Sequence, residues 1–484
     1  MIKLEHLGIG TLSRKTIWVS ASKTITFSVI LFANVYLARR LTRHDFGLYQ
    51  QAWLFLQTLT PILLLGISQA LNYYLPSSSD EKAREYISAF FVIICITGFF
   101  ALALAFLAPR IIAQIIGNDR LVPLIPILGL YIFLILPSYH LEPLLILKRR
   151  ISELFLWTLI FDLIFFAIIF WFGFVSNIKG IFTCLALMAL FKSFIVIVRA
   201  IKLYGPGKWN FVGALGKPLF YYLCVLGGIA AIDVLSLHID KYIVSHFLGA
   251  ERYALYAIGS MEIPFVIIVT ASVTAVIMPE LSRCHALNKH DDVLRLIHRS
   301  MEKLSFLIFP IWLYLLATAG FYIPFFFGES YRASLPIFYI YLCLLPIRAL
   351  NNHPYIIAAG LQRYALYARI IDFLVDFALG LLLVRWMGLI GPALAMLAAS
   401  YAHKGYQTMI LCRHLKLGVT KVYPWGSLAR CLVMAGVAAL GLKLILAITG
   451  ENIAGIAVGS VLFSGLYLVI LYRWMFGKRR AGET

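Results

Sequence analysis

Residues 236–259 read SLHIDKYIVSHFLGAERYALYAIG, and the plan of the chain can be worked out from them. They begin inside an apolar segment of membrane-spanning length. The end of that segment carries Asp233, Asp240 and Lys241, and each charge costs roughly 2.5 to 3.5 kcal/mol at the centre of a bilayer. A polar turn at 247–252 then leads into a second apolar stretch. The pattern predicts two membrane helices joined by a short turn, with charges held inside the first helix.

The same pattern occurs near the start of the chain. Residues 38–49, ARRLTRHDFGLY, also join two long apolar segments. Leu41 aligns with Leu248 and Tyr49 with Tyr256, at a spacing of about 207 residues. A helix, turn and helix unit that is used twice is typical of transporters built from internal repeats.

Composition places the whole chain in a membrane. Of its 484 residues, 62% are hydrophobic and 13% are charged, so one soluble core could not bury the apolar surface. Apolar runs of about 20 residues, the length that crosses a bilayer, recur along the chain. We predict an all-α polytopic membrane protein with about 14 spans, which begin near residues 16, 47, 86, 121, 154, 178, 218, 253, 302, 333, 364, 389, 427 and 453.

The net charge of +20 reflects membrane topology more than nucleic-acid binding. An even number of spans puts both ends of the chain on one side. Roughly 25 basic residues fall on that side, and only about 9 fall on the opposite side. The positive-inside rule therefore predicts that both termini are cytoplasmic, and no nucleic-acid partner is expected.

Sequence motifs for catalysis or cofactor binding are missing. The nearest approach to a phosphate-binding loop, Gly205-Pro206-Gly207-Lys208-Trp209, lacks the required spacing and hydroxyl group. There is no His-Glu-x-x-His motif, no Cys-x-x-Cys motif and no Gly-x-Ser-x-Gly elbow. We predict no metal and no cofactor, and we expect a protein that is not an enzyme. A catalytic nucleophile and base that are brought together only by folding would leave no sequence motif, so that possibility stays open.

The ionisable residues inside the predicted spans form the candidate site. Asp233 and Asp240 are seven residues apart and share a helix face, whereas Arg369, Asp372 and Asp376 form a charged stripe. Such residues bind a substrate or coupling ion, or they form interhelical ion pairs that hold a bundle together, and both interpretations stay open. The candidate cations are Lys23, Lys241, Arg348 and Arg369, and the candidate carboxylates are Asp233, Asp240, Glu262, Asp372 and Asp376. The charges interpreted as structural are Asp162, Lys192, Lys404 and Lys443.

Four sequence patterns carry a resemblance to a known family. Residues 239–244, followed by 248–250 and 254–256 and together with PELSR at 279–283, resemble the polysaccharide-transporter branch of the multidrug/oligosaccharidyl-lipid/polysaccharide (MOP) exporter superfamily. Residues 38–49 do so as well, and the resemblance extends over essentially the whole chain in length and span count. The chain departs from the pattern at 252–254, where Arg-Tyr-Ala replaces an expected Phe-Gly or Leu-Gly.

The resemblance implies a particular architecture. Two six-helix lobes would surround a central cavity lined by the first, second, seventh and eighth spans. The first lobe would cover residues 1–207 and the second residues 208–415. A further pair of helices and a cytoplasmic tail would occupy residues 416–484.

The resemblance also implies a function. Members such as Wzx-type O-antigen flippases move undecaprenyl-diphosphate-linked oligosaccharides, the repeats of O-antigen, capsule or exopolysaccharide, to the outer leaflet of the bacterial cytoplasmic membrane. The partners would be the lipid-linked oligosaccharide, membrane lipids, a polysaccharide polymerase and a chain-length regulator. Lys23, Lys241, Arg348 and Arg369 would then meet phosphates, because cations bind them by charge-assisted hydrogen bonds. The rings proposed to meet sugar faces are Tyr36, Tyr49 and Tyr256.

Two alternatives stay open. A drug or cation exporter of the same superfamily is favoured if the in-span aspartates line a cavity without basic neighbours. A membrane polysaccharide polymerase or ligase would also be basic and polytopic, but such enzymes usually have one large outer loop. No outer loop predicted here exceeds about 15 residues.

Overall fold

The computed structural model describes residues 9–205, 210, 216–287, 289–450 and 452–480, and within these ranges the chain is helical without a β-strand. Short 3-10 helices lie at Asp119–Leu121, Leu136–His140 and Glu329–Ser334. The α-helices are α1 (Ile9–Arg40), α2 (Arg43–Leu63), α3 (Ile67–Tyr74), α4 (Asp80–Leu107), α5 (Pro109–Ile116), α6 (Ile125–Ile135), α7 (Leu141–Leu147), α8 (Ile151–Phe174), α9 (Ile178–Tyr204), α10 (Lys217–Gly259), α11 (Pro264–Ala286), α12 (His290–Phe327), α13 (Leu335–Leu342), α14 (Leu345–Ala349), α15 (His353–Ala358), α16 (Gln362–Met387), α17 (Ile390–Leu415), α18 (Val419–Val422), α19 (Trp425–Thr449) and α20 (Ile453–Arg480).

The predicted fold class is confirmed. Within the described part of the chain, eleven helical segments are long and apolar enough to cross a bilayer. Helices α16, α17 and α20 coincide with the three other predicted spans. Of these, α16 is charged at Arg369, Asp372 and Asp376, which lowers its hydropathy. The protein is therefore a multi-pass helical membrane protein.

The described residues fall into two compact units, of which the first ends at Leu255 and the second begins at Tyr256. The predicted lobe boundary at 207/208 lies outside the described residues. The division into lobes at 1–207 and 208–415, with a further part at 416–484, stays a prediction.

In the first unit, α1 packs along α8, and α6 packs against both α4 and α9. A break separates α2 from α3, because Leu65 and Gly66 both adopt left-handed backbone conformations. The first part of α10 lies tightly against this break. A Cβ added to Gly66 would lie 2.5 Å from Cβ of Leu226, and one added to Gly227 would lie 2.7 Å from a methyl group of Leu65. Glycine is required at both positions for this close approach.

The turns of the predicted repeat are present in the structure. Helix α1 ends at Arg40, and α2 is capped by the Thr42 hydroxyl, which accepts a hydrogen bond from the Asp45 amide at 3.1 Å. In the second copy, α10 is interrupted at Gly249, whose φ of 78° is left-handed. The prediction of a turn at 247–252 is confirmed.

The eighth span, however, is not the continuous helix that the apolar pattern predicts from residue 253. Helix α10 ends at Gly259, and residues 260–263 are non-helical before α11 begins at Pro264. Proline cannot donate a backbone hydrogen bond, and it disfavours helical geometry in the preceding residue. Glu262, predicted to lie within a helix, therefore lies in the break between two helices.

In the second unit, α16 and α17 form an antiparallel hairpin that turns at Gly388, which confirms the two spans predicted near 364 and 389. Helix α12 packs against α11, α14 and α19, and α19 packs against α20. The tenth span is divided into α13, α14 and α15. Pro346 and Pro354 each lie in the first turn of the helix that follows an interruption.

Candidate functional site

An ion pair joins two interrupted helices of the second unit. Glu262 lies in the non-helical stretch before α11, and Arg348 lies at the end of α14. Nη2 of Arg348 is 2.5 Å from Oε1 of Glu262, and about a third of each side chain is exposed. The pair is thus held between two helix breaks and remains accessible from outside the unit.

Side chains of α17 donate hydrogen bonds to backbone carbonyl groups at the interruptions of the tenth span. Nζ of Lys404 donates to the carbonyl oxygen of Leu350 at 2.8 Å, and the Tyr401 hydroxyl donates to that of Cys343 at 3.1 Å. Free carbonyl groups are costly at membrane depth, so irregular backbone there needs such partners. Side chains of α17 therefore stabilise the interruptions of the tenth span.

Two asparagines fix the backbone that follows Arg348. Asn351 donates from Nδ2 to the Thr274 hydroxyl at 3.1 Å, which ties the break to α11. The buried Asn352 donates to the Tyr423 hydroxyl at 2.8 Å. These bonds hold the segment around Arg348 against α11 and against Tyr423. Supporting hydrogen bonds of this kind keep a binding side chain in place.

Positive charge accumulates beside this break. Lys404 bonds the backbone of Leu350, two residues beyond Arg348, and Nδ1 of the neighbouring His403 lies 3.8 Å from the Asp372 carboxylate that Arg369 contacts. Arg369 contacts Asp372 with Nη1 at 3.3 Å from Oδ2, and its own side chain is 44% exposed whereas that of Asp372 is 6% exposed. We call Arg348, Arg369 and Lys404 the cation cluster. Three cations beside two paired carboxylates suit an anionic group with more than one negative charge.

The structure thus brings together Arg348, Arg369, Glu262 and Asp372 from the predicted site. Asp376, one turn beyond Asp372, is fully buried. Lys404 is expected to be a structural charge; it donates to the Leu350 carbonyl oxygen, and the structure adds its place in the cation cluster. A usable signal is present in the sequence, since Tyr401, Lys404 and Thr408 lie at i, i+3 and i+7 and so share one face of α17.

The first unit holds a second group of charges. Nζ of Lys23 lies 3.6 Å from Oε1 of Glu142, with both side chains at least half exposed. Thr26 donates a 2.7 Å hydrogen bond to Asp162, and Nζ of Lys192 lies over the ring of Phe161, the residue before Asp162. Glu142 lies in the first turn of α7, directly after the 3-10 segment that interrupts the fourth span. Each unit therefore has an ion pair at the interruption of one of its spans.

The candidate charges on α10 lie in different environments. Asp240 is fully buried and Asp233 is partly buried. Lys241 donates from Nζ to the carbonyl oxygen of Leu237, one turn earlier in its own helix, at 3.0 Å. A lysine that binds its own helix backbone can exchange that partner for a ligand without leaving a buried charge unpaired.

Two of the three tyrosines predicted to meet sugars are buried. Tyr49 and Tyr256 are 2% and 0% exposed, so the prediction is wrong for both. Tyr36 stacks on Phe170 at 5.0 Å between ring centroids and donates to the Phe170 carbonyl oxygen. Tyr49 and Tyr256 are thus packing residues.

Comparisons with known proteins agree with this architecture. Residues 36–336 match the family described as "Polysaccharide biosynthesis protein". The chain is also 36% identical over 87 residues to the EPS I polysaccharide export inner membrane protein EpsE of Ralstonia nicotianae. That match spans 18% of this chain and 20% of the length of EpsE.

Solved structures share the fold at low sequence identity. The inward closed conformation of the lipid II flippase MurJ has a TM-score of 0.76 at 15% identity, and the match covers 96% of this chain and 99% of that one. An inward-facing multidrug resistance MATE family transporter of the MOP superfamily has a TM-score of 0.59 at 13% identity, with 81% and 95% covered. A MOP superfamily transporter from Pyrococcus furiosus has a TM-score of 0.56 at 11% identity, with 83% and 95% covered. The predicted MOP-type fold is confirmed.

Proposed function

The chain belongs to the polysaccharide biosynthesis protein family, and on that premise we propose that it is a flippase for lipid-linked oligosaccharides. It would move them from the inner to the outer leaflet of the bacterial inner membrane. The observation that carries the proposal is the cation cluster beside the broken tenth span. The names of two similar proteins, a lipid II flippase and a polysaccharide export inner membrane protein, support the same role.

The physical problem that such a protein solves is the polarity of the headgroup. A diphosphate with attached sugars cannot enter hydrocarbon, because its charges and hydroxyl groups would lose their hydrogen bonds to water. The protein must offer a wet and partly cationic path, while the prenyl tail stays in the lipid. The side chains of Arg348 and Arg369 are partly exposed, and guanidinium binds phosphate oxygens through two parallel hydrogen bonds.

Glu262 would keep Arg348 in position while the site is empty. When the substrate arrives, the guanidinium can exchange the carboxylate for a phosphate group, so that its charge is never left unpaired. Asp372 would serve Arg369 in the same way. Lys23 and Lys241 of the first unit are proposed as further substrate-binding cations. Asp233 and Asp240 of the first unit and Asp376 of the second are proposed as ion-pair or coupling carboxylates.

The arrangement of the carboxylates argues against the cation-exporter alternative. That function needs carboxylates that meet the substrate without basic neighbours. Here Glu262 and Asp372 each contact an arginine, while Asp240 and Asp376 are fully buried. We further propose that the lipid carrier is undecaprenyl diphosphate and that both termini are cytoplasmic. The transported unit would be delivered to a polysaccharide polymerase and a chain-length regulator.

Complementation of a flippase-deficient bacterial host tests it. The intact chain should restore surface polysaccharide, which is measured by staining or immunoblotting of cell extracts. Arg348→Ala should lower export about tenfold or more, since a charge-assisted hydrogen bond contributes about 1.5 to 3 kcal/mol. Arg348→Lys should keep a substantial part of the activity because the charge remains.

The matched control is Arg332→Ala. Arg332 contacts Glu329 at 2.8 Å in the same unit, but both side chains are well exposed, and surface pairs of this kind contribute little. This variant should export like the intact chain. Failure of the intact chain to restore polysaccharide in hosts that make different lipid-linked units would overturn the proposed function.

A further inference from the structure

Four tyrosines from three helices of the first unit pack together at one end of that unit. Tyr73 and Tyr74 end α3, Tyr86 lies in α4, and Tyr222 lies in α10. The Tyr73 and Tyr222 rings are stacked with centroids 5.4 Å apart, and the Tyr74 and Tyr86 rings are stacked at 4.8 Å. Tyr74 also meets Tyr222 edge to face at 5.6 Å. We call these four residues the tyrosine platform.

The break between α2 and α3 creates this platform. Because Gly66 and Gly227 allow α10 to pack directly against the break, α3 runs beside the first turns of α10. The rings at the end of α3 therefore reach Tyr222. A chain without these two glycines could not bring the helices so close.

One ring of the platform is open on its outer face. Tyr73 is 64% exposed even though Tyr222 supports it from one side. A ring that is already stacked has little side-chain freedom left to lose when a ligand covers its other face. Tyr73 is thus preorganised as a flat apolar surface.

Exposed amide groups lie beside this ring. Gln69, Asn72 and Tyr73 are spaced at i, i+3 and i+4 on α3, so they share one helix face, and all three are exposed. Amide side chains both donate and accept hydrogen bonds. Because two amides facing hydrocarbon would be costly, this face must meet water.

We propose that this face of α3 binds a sugar ring of the transported glycan. A pyranose ring has an apolar C–H face, which would pack on the open face of Tyr73, and a rim of hydroxyl groups, which would bond to Gln69 and Asn72. The inference rests on the proposed function, since a flippase for lipid-linked oligosaccharides must bind the sugars as well as the diphosphate.

The platform also lies at the end of the unit where a substrate would be loaded. The connection after α3 leads into the first turns of α4, which carry Lys82 and Arg84. The next basic run, at 148–150, contacts the same end, since Lys148 lies 3.1 Å from Asp80 in α4. By the positive-inside rule this end is cytoplasmic, which is the side on which lipid-linked sugars are assembled in the proposed function.

Sugar binding can be measured on the intact protein reconstituted in nanodiscs. The probe is the lipid-free oligosaccharide released by mild acid from the lipid-linked precursor of the producing cells, and its affinity is measured by isothermal titration calorimetry. Tyr73→Leu keeps apolar bulk but removes the ring, so it should weaken binding about fivefold, in line with what an aromatic stacking contact contributes. Tyr73→Phe keeps the ring and should bind like the intact chain. Asn72→Ala should also weaken binding, through loss of the amide.

The matched control is Tyr221→Leu, which removes a neighbouring tyrosine of α10 that is 73% exposed. If Tyr73 acts only as an interfacial aromatic residue, Tyr73→Leu and Tyr221→Leu will have equal effects, and the inference is overturned. Absence of oligosaccharide binding to the intact chain overturns it as well. In either case the proposed function still stands if the intact chain restores polysaccharide export, whereas failure of that complementation removes the function itself.

Discussion

Gly47 of α2 lies so close to Ala250 of α10 that a Cβ atom added to the glycine would be 2.0 Å from the Ala250 carbonyl oxygen. Both residues belong to the turns of the internal repeat, which thus pack against each other. Arg43 and Glu251 form a 2.8 Å ion pair beside the contact. The repeat seen in the sequence is therefore also a packing interface within the first unit.

Replacement of Gly47 by alanine should disrupt this interface. The methyl group would meet backbone atoms, which cannot rotate away, so the helices must separate. Overpacking of this kind costs about 1 to 3 kcal/mol. We expect a lower thermal unfolding temperature for the purified protein in detergent, together with reduced export.

Gly436→Ala provides the comparison for that variant. Gly436 lies inside α19, and a Cβ there would meet no other atom within 4 Å. Alanine is also the better helix former, by about 1 kcal/mol. An unfolding temperature for Gly47→Ala that is equal to that of Gly436→Ala would show that the two turns do not need close contact.

A buried hydrogen-bond network reinforces the same region. Gln51 donates from Nε2 to the Ser245 hydroxyl at 2.8 Å and accepts from Nδ2 of Asn118 at 2.6 Å. Gln51→Ala should destabilise the protein by about 1 to 3 kcal/mol, because it leaves buried polar partners unsatisfied. Gln57→Ala, at an exposed position of the same helix, should leave the unfolding temperature unchanged. Equal unfolding temperatures for the two variants would contradict a stabilising role for the network.

The proposed topology can be checked by cysteine labelling. In a variant without the native cysteines, Ser77→Cys should react with a membrane-impermeant maleimide only after the cells are opened. Lys179→Cys should react in intact cells, since the predicted spans put it on the opposite side. Both positions are exposed in the structure. Labelling of Ser77→Cys from outside would reverse the orientation that the basic residues predict.

The fold followed from features that are local in the sequence. Apolar runs determine where helices cross the membrane, and a polar turn with Gly249 determines where one of them breaks. The Arg369 and Asp372 pair could also be predicted, because residues three apart on a helix are neighbours.

The rest of the site depends on contacts between distant segments. Glu262 and Arg348 are 86 residues apart, and no periodicity relates them. Lys404 lies near Arg348 because α17 packs beside the interrupted tenth span, and no local sequence pattern shows that packing. Tyr49 and Tyr256 were misassigned because, in helices that are apolar on every side, the pattern does not show which face is buried.

The Glu262 and Arg348 pair allows the substrate-binding and structural roles to be separated. If Arg348 only balances Glu262, then Arg348→Ala is harmful because it leaves a carboxylate without its cation, and adding Glu262→Gln should restore export. If Arg348 binds the diphosphate, the double variant still lacks the cation and should stay at least about tenfold below the intact chain. Glu262→Gln alone should retain export, because the arginine remains available to the substrate. Export is measured in the flippase-deficient host, with protein level in the membrane fraction as the control for folding. We expect the double variant to be as inactive as Arg348→Ala while both proteins accumulate normally, and rescue by Glu262→Gln would remove Arg348 from the binding site.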